Sequence, residues 1–375
     1  MIYLDNSATT QTRKEVAEYV AKYSVENFFN PSSVYQPAVK VKLDLDNARK
    51  SILRILNAES NGKVVFTGSA TEANNLVLNG LAKKNKKILI SAGEHPSIYE
   101  TAKNLENQGY EIGYISLNAD STVNLTDLEN QMNENVCLVS IMHASNETGA
   151  INDLGAISRI VKGKNPNCLL HSDGVQAYGK LRVNVSRDKI DLYTMSSHKI
   201  HGPKGVACLY FSNKVRLKPQ ILGGGQENGL RSGTENPAGI MGFIVASDIM
   251  YNGLQKRNEY LRRLKQHFIN ELANTDLEYQ INAKDAITLD NILSISFFGV
   301  RGEVLLHSLE KYGIYVSTGS ACSSKHIGNR VLTNMGLTPE QMQGNVRFSF
   351  SEFVTMQDID YTIKALKQEI QNLKG

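Results

Sequence analysis

Seven short runs rich in Val, Ile and Leu punctuate the first part of the chain, at 63–66, 87–91, 110–117, 136–143, 168–172, 190–195 and 205–211. Longer amphipathic stretches separate most of them, at 71–83, 97–108 and 154–161. Strand-length apolar runs alternating with helical patterns predict a mostly parallel sheet covered by helices on both faces. The strands show little alternation of polar and apolar residues, which fits a sheet buried on both sides. After Gly223-Gly224-Gly225 the rhythm changes. A long helical stretch spans 237–273. Strand-like 292–297, a helix near 303–312, strand-like 314–317 and 346–350, and a final helix near 356–373 follow. This pattern predicts a second, smaller α/β domain. The expected division is 15–255 for the large domain, with 1–14 and 256–375 forming the small one.

A chain of 375 residues is too long for one core, which agrees with two domains. Its 41 basic and 37 acidic residues leave a net charge of only +4, so no nucleic-acid surface is expected. The basic cluster Lys83-Lys84-Asn85-Lys86-Lys87 sits at an expected helix end and reads as solvated. The N-terminus lacks a basic segment followed by an apolar one, and no apolar run is of membrane-spanning length. A cytoplasmic protein is therefore expected.

Four cysteines occur, and none forms a C-x-x-C pair, so neither a zinc site nor a disulfide framework is expected. Cys137, Cys168 and Cys208 lie in apolar runs, where cysteine usually serves as a small buried hydrophobe. Cys322 differs. It lies in Ser317-Thr318-Gly319-Ser320-Ala321-Cys322-Ser323-Ser324-Lys325, a polar and flexible setting that marks a thiol with work to do.

The chemistry-bearing motifs fall where strands end, which is where open α/β sheets place their ligands. Lys199, in Ser196-Ser197-His198-Lys199-Ile200-His201-Gly202-Pro203, is placed to form a Schiff base. Asp173, in His171-Ser172-Asp173-Gly174-Val175-Gln176, lies 26 residues earlier and can pair with a protonated pyridine nitrogen. A strand-end Asp also caps helices, so the spacing to Lys199 decides between the two readings. Thr67-Gly68-Ser69-Ala70-Thr71-Glu72 joins a strand to a helix and suits a phosphate at the helix N-terminus. His95, in Gly93-Glu94-His95-Pro96-Ser97, can stack on an aromatic ring and move protons. Asn146 follows another strand in His143-Ala144-Ser145-Asn146-Glu147-Thr148-Gly149. A Gly-rich loop leads into Arg231-Ser232-Gly233-Thr234, and Arg347 alternates with apolar residues in a strand, where it could clamp a carboxylate.

Taken together, these segments resemble the cysteine desulfurases of the class V aminotransferase family. The likeness runs from Tyr3-Leu4-Asp5-Asn6-Ser7-Ala8-Thr9-Thr10 through Asn30-Pro31-Ser32-Ser33 to Arg347. The Gly-Ser-Ala-Cys form is similar to the housekeeping and nitrogenase-type branch. Two positions depart from the common pattern: Val34-Tyr35 after Ser33, and Ser145 before Asn146.

The resemblance implies a homodimer of the fold type I architecture that binds pyridoxal 5'-phosphate. Lys199 would carry the coenzyme and abstract the substrate α-proton, and His95 would stack on the ring as acid or base. Asp173 would pair with the ring nitrogen, while Gln176 and Asn146 would contact the ring-oxygen side. Ala70, Thr71, Ser196 and His198 would hold the phosphate, with Thr234 reaching across from the partner subunit. Arg347, with Asn30, would hold the substrate carboxylate. Cys322 would take sulfur from L-cysteine as a persulfide, releasing alanine, and pass it to an acceptor protein for iron–sulfur, tRNA-thiolation or thiamine pathways. No intrinsic metal is implied, although Cys322 could ligate a cluster in transfer. Selenocysteine lyase activity and a non-catalytic sulfur-relay scaffold are the competing readings.

Overall fold

The computed structural model describes residues 1–319 and 329–374, so Cys322 and the rest of its loop lie outside the described residues. The chain opens with β1 (Ile2–Tyr3), α1 (Lys14–Glu26) and α2 (Gln36–Ile55). It then alternates through β2 (Gly62–Thr67), α3 (Ala70–Leu81), β3 (Lys87–Ser91), α4 (Pro96–Asn107), β4 (Glu111–Ile115), α5 (Leu125–Gln131) and β5 (Val136–Ser140). The alternation ends with α6 (Leu154–Lys164), β6 (Leu169–Asp173), β7 (Leu192–Ser196) and β8 (Ala207–Ser212).

These strands form one seven-stranded sheet in the order β2-β8-β7-β6-β5-β3-β4. Only β8 runs against its neighbours, pairing antiparallel with both β2 and β7. The mostly parallel sheet expected from the alternation is therefore present. Because β2, β3, β5, β6 and β7 run the same way, Thr67, Ser91, Ser140, Asp173 and Ser196 end on one edge of the sheet. Strand interiors are buried on both faces, as the burial of every residue of β7 illustrates.

The long stretch expected as one helix is two: α7 (Pro237–Asn252) and α8 (Leu254–Ala273). Gly253 separates them, and Arg257 supplies the reason. Its guanidinium donates to the Met250 carbonyl at 2.8 Å and to Ile249 at 3.1 Å, capping the last turn of α7. A Cβ on residue 253 would stand 3.0 Å from Arg257 Nη2, so the break fits a glycine. α1 escaped the sequence analysis because it buries only Val16 and Tyr23 among many charges. It packs on α7.

The C-terminal part contains β9 (Tyr279–Ile281), β10 (Ile292–Phe297), α9 (Gly302–Glu310), β11 (Ile314–Tyr315), α10 (Arg330–Asn334), α11 (Pro339–Gln343), β12 (Asn345–Ser349) and α12 (Met356–Lys374). A three-stranded antiparallel sheet runs β12-β10-β9, and β1 pairs in parallel with β11. The described residues carry separate cores. One draws on residues from Val16 to Met250; another joins Ile2 and Leu4 to residues from Leu261 to Ile370. Among the described residues, no helix is long and apolar enough to cross a membrane.

Candidate active site

Lys199 sits in a single turn of 3-10 helix (Ser197–Lys199) directly after β7. Its amine is held by the N-terminal segment rather than by the sheet: Nζ donates to the carbonyls of Ser7 and, at 2.8 Å, Ala8. Burial pushes the amine down to about 8, and Arg347 adds to the shift, while Asp5, Asp173 and Glu147 oppose it. A lysine with that affinity for protons is part-deprotonated near neutrality, as a nucleophilic amine must be. Residues 5–12 form a wall of the site, a function the sequence analysis did not assign to them. Ser7 O also accepts from Gln176 Nε2 at 3.0 Å, Thr9 Oγ1 lies 3.0 Å from His198 Nδ1, and Thr10 N donates to His198 O at 3.0 Å.

Asp173 ends β6 and is 6% exposed. Its Oδ1 accepts from Val175 N at 3.0 Å and its Oδ2 from Asn74 Nδ2 at 2.8 Å. The same Asn74 nitrogen donates to Ser97 Oγ at 2.8 Å. Ser97 Oγ in turn lies 2.8 Å from His95 Nδ1, which also accepts from Ser97 N at 3.1 Å. With Nδ1 accepting a backbone N–H, the neutral ring carries its proton on Nε2. Burial keeps His95 below the usual imidazole range; Asp173 opposes this and Lys199 reinforces it. Asn74 and Ser97 thus tie His95 to Asp173. Ser97 ends a motif quoted from the sequence and Asn74 lies two residues beyond another, but nothing in a single sequence distinguishes them from helix residues.

The next carboxyl, Glu94, is 1% exposed and is pushed well above the usual carboxylate range by burial and by Asp173. Its Oε1 accepts from Met142 N at 2.6 Å, fastening the His95 turn to the end of β5. Arg330 stacks 3.7 Å above the Tyr99 ring and donates to the carbonyls of Ala92 and Glu94. It holds the same turn from the start of α10, and no sequence motif marks it.

A cavity of about 280 Å³ adjoins Lys199, lined by Thr9, Gly68, Ser69, Ser196, His198, Lys204, Gly205 and Val206. Ser69 caps α3 by accepting from Glu72 N at 3.1 Å, while Glu72 accepts from Gly68 N at 3.0 Å. Ala70 and Thr71 follow as the first two helical residues, at the positive end of the α3 dipole. Ser196, His198 and Lys204 complete a polar cradle open to an anion. His198 is pushed down to about 4 by burial, then by Lys199, Lys204 and Lys180, so its ring enters as a neutral hydrogen-bonding group. Thr234 lies exposed on the loop before α7.

Arg347 is 4% exposed. Its Nη2 donates to Asp5 Oδ1 and its Nη1 to Asn146 O, each at 2.8 Å. The Asn146 amide donates to Glu147 Oε1 at 2.8 Å, and Glu147 Oε2 accepts from Asn329 Nδ2 at 3.1 Å. Glu147 therefore links Arg347's neighbour to the first described residue after the Cys322 segment. Ser145, the departure noted in the sequence, accepts from Glu147 N at 3.2 Å and Thr148 N at 3.3 Å and so shapes this turn. Asn30 stands on an exposed loop, where its Oδ1 accepts from Ser32 N at 2.9 Å. The structure thus brings Lys199, Asp173, His95, Gln176, His198 and Arg347 to one edge of the sheet, and leaves Asn30 and Thr234 on the surface.

The other cysteines are structural. Cys168 and Cys208 are buried, and burial pushes the Cys168 thiol up to about 12. Cys137 departs from the expectation of a buried hydrophobe: it is half-buried, on the β5 face near Lys83 and Lys86.

The chain matches the family described as aminotransferase class-V over residues 2–362. It is 38% identical over 377 residues to the cysteine desulfurase IscS of Clostridium botulinum, covering 99% of this chain and 94% of that one. A solved NifS-like protein superposes with a TM-score of 0.92 at 34% identity, covering 99% of both chains. The NifS-like protein of Rickettsia africae does so with a TM-score of 0.90 at 32% identity, again over 99% of both. A pyridoxal-phosphate family, full-length similarity to cysteine desulfurases and a buried strand-end lysine agree: this chain belongs to the cysteine desulfurases of the class-V aminotransferase family.

Proposed function

We propose that this protein removes sulfur from L-cysteine, releases L-alanine, and carries the sulfur as a persulfide on Cys322 to an acceptor protein. The observation that carries this reading is the convergence of the Lys199 amine, the Asp173 carboxylate and the His95 ring at the ends of parallel strands, with the Arg347 guanidinium held beside them from β12 by Asp5 and Asn146. The residues fit pyridoxal phosphate. The cradle of Ser69, Ala70, Thr71, Ser196 and His198 suits the phosphate, and Asp173 suits the ring nitrogen. Gln176 and Asn146 suit the ring-oxygen side, and Lys199 suits the aldehyde. When bound, the coenzyme supplies an electron-withdrawing ring that stabilises negative charge at the amino acid α-carbon.

The chain's own groups do the rest. Arg347 binds the substrate carboxylate through charge-assisted hydrogen bonds, with its guanidinium oriented by Asp5 and Asn146. Asn30 joins it if the partner subunit brings its loop near. Lys199, with a depressed proton affinity, takes the α-proton as an amine and holds it as an ammonium against the Ser7 and Ala8 carbonyls. His95, protonated on Nε2, donates rather than accepts in its neutral form. The Cys322 thiolate attacks the substrate sulfur. The carbon–sulfur bond breaks, a sulfur–sulfur bond forms, and the carbon takes up a proton to become alanine, so cysteine plus thiol gives alanine plus persulfide.

Exposed apolar residues on α1, α2 and their connection, among them Phe28, Val34, Tyr35 and Leu43, together with Leu222 on the Gly-rich loop, support a homodimer. Thr234 would then reach the partner's phosphate. The separate cores support the domain division at 15–255 against 1–14 and 256–375. Iron–sulfur, tRNA-thiolation and thiamine acceptors are all compatible recipients.

The test is spectroscopic and chemical. Purified protein should absorb in the visible, and Lys199→Ala should abolish the lysine-linked band. Cys322→Ala should keep the band and lose persulfide formation. Alanine release at the normal rate from Cys322→Ala would refute the acceptor role.

A further inference from the structure

Lys180 is a buried amine with no place in the chemistry above. It is 8% exposed, and its Nζ donates to Gln176 Oε1 at 3.0 Å. The other end of the same amide is also engaged: Gln176 Nε2 donates to Ser7 O at 3.0 Å. Ser7 O is the carbonyl that receives the Lys199 amine. Four groups thus form one chain: Lys180 Nζ, the Gln176 amide, the Ser7 carbonyl and Lys199 Nζ.

An amide side chain has two orientations related by a flip of its terminal O and NH₂. In the observed one, a donor faces the oxygen and an acceptor faces the nitrogen. The flipped one would set the amide oxygen against the Ser7 carbonyl and its NH₂ against the Lys180 amine. Without Lys180, the seat on Ser7 would leave the Gln176 amide oxygen buried without a donor, a cost of about 1–3 kcal/mol that works against keeping that seat. Gln176 is itself only 4% exposed, so solvent does not supply the missing donor.

We infer that Lys180 is a positioning residue: it fixes the Gln176 amide so that its NH₂ group faces the Ser7 carbonyl and the Lys199 side of the site. The inference rests on the reading of Gln176 as a contact for the ring-oxygen side of the coenzyme. Burial, with Lys199 contributing, pushes the Lys180 amine down to about 7. Both its neutral and its charged form carry hydrogens to donate, so the bond to Gln176 survives the titration.

The first arm of the test is a crystal structure of coenzyme-free Lys180→Met. Gln176 Nε2 should leave Ser7 O, opening to beyond about 3.5 Å, outside hydrogen-bond range. A Gln176 amide still seated on Ser7 would overturn the inference, whatever the coenzyme does. The second arm titrates the visible absorbance of the loaded protein against pH. Lys180→Met and Gln176→Leu should shift the midpoint in the same direction, by roughly half a pH unit or more, the scale on which a lost hydrogen bond moves an ionisation. The double variant should shift no further than either alone; additive shifts would overturn the inference. If Gln176 moves in the crystal while neither single variant shifts the midpoint, the positioning role stands and the ring-oxygen role of Gln176 fails. Lys180→Gln, which keeps a shorter donor, carries both arms if the Met variant does not fold; its shifts should be smaller than those of Gln176→Leu.

Discussion

Asn74 and Asp173 stand 99 positions apart in the chain and meet at 2.8 Å, with the Asn74 amide donating to the carboxylate. Asn74 is fully buried, and its second hydrogen goes to Ser97 Oγ, itself against the His95 ring. Removing this amide strips a charge-assisted hydrogen bond from Asp173, a loss of about 1.5–3 kcal/mol. Asn74→Ala should therefore weaken pyridoxal-phosphate retention by roughly one to two orders of magnitude, by the same energy scale. An absorbance titration with the coenzyme checks this. Retention unchanged from the parent protein would mean that Asp173 is held by other contacts.

The proton affinity of Lys199 yields a second expectation. In coenzyme-free protein, the rate at which an amine reagent labels Lys199 should rise with a midpoint near pH 8. Asp5 opposes the depression, so Asp5→Asn should move that midpoint lower still, whereas Arg347→Gln should move it up. Peptide mapping after brief labelling at several pH values separates this lysine from the surface ones. A midpoint near the ordinary lysine value of about 10.4 would contradict the buried setting.

The sheet and its edge were legible because buried parallel strands advertise themselves as apolar runs, and because the strand ends carry the polar groups in sequence blocks. Asp173, Lys199 and His95 could be named for that reason. Asn74, Ser97 and Arg330 could not, since their roles depend on which strand ends are neighbours, and β5, β3 and β6 are ordered in space differently from the chain. The N-terminal segment escaped a functional reading for a related reason: it binds Lys199 through main-chain carbonyls of Ser7 and Ala8, which leave no mark in side-chain chemistry. The 237–273 stretch reads as one helix because Gly253 is a single weak breaker, and only the Arg257 guanidinium, turned back onto the last carbonyls of α7, marks the break.

That guanidinium joins the two cores. Arg257 is 7% exposed; besides capping α7, it donates from Nε to Glu352 Oε2 at 2.7 Å, and Glu352 also pairs with Arg13. Arg257→Met would leave the Met250 carbonyl without its donor, the Ile249 carbonyl with only the Gly253 N–H, and Glu352 with one partner. Unfolding stability should fall by about 1–3 kcal/mol, the range for a buried polar group left unpaired. Glu352→Gln, on a partly exposed residue, should cost less. Denaturant midpoints for the two variants check the order, and a larger loss for Glu352→Gln would reverse the argument.

Four histidines, His171 and His201 buried and His143 and His198 half-buried, are held below the usual imidazole range and shape the response to acid. Burial pushes His171 down to about 3, and His143, His198 and His201 to about 4. His171 is enclosed between Ser140 Oγ at 2.8 Å and Thr194 Oγ1 at 3.0 Å, with no carboxylate partner among the described residues. In the unfolded chain each ring titrates near 6.5, so between about 6.5 and 4 the unfolded state binds more protons than the folded one. Stability should then be fully present above about pH 6.5 and decline as the pH falls through that window, which is the sign for groups held neutral by the fold. Urea midpoints measured on coenzyme-free protein at pH 7, 5.5 and 4.5 should fall in that order, the pH values chosen to bracket the window from about 6.5 down to about 4. His171→Gln, which cannot titrate and can still bond both hydroxyls, should flatten the decline. If the decline is as steep in that variant as in the parent, His171 is not among its sources.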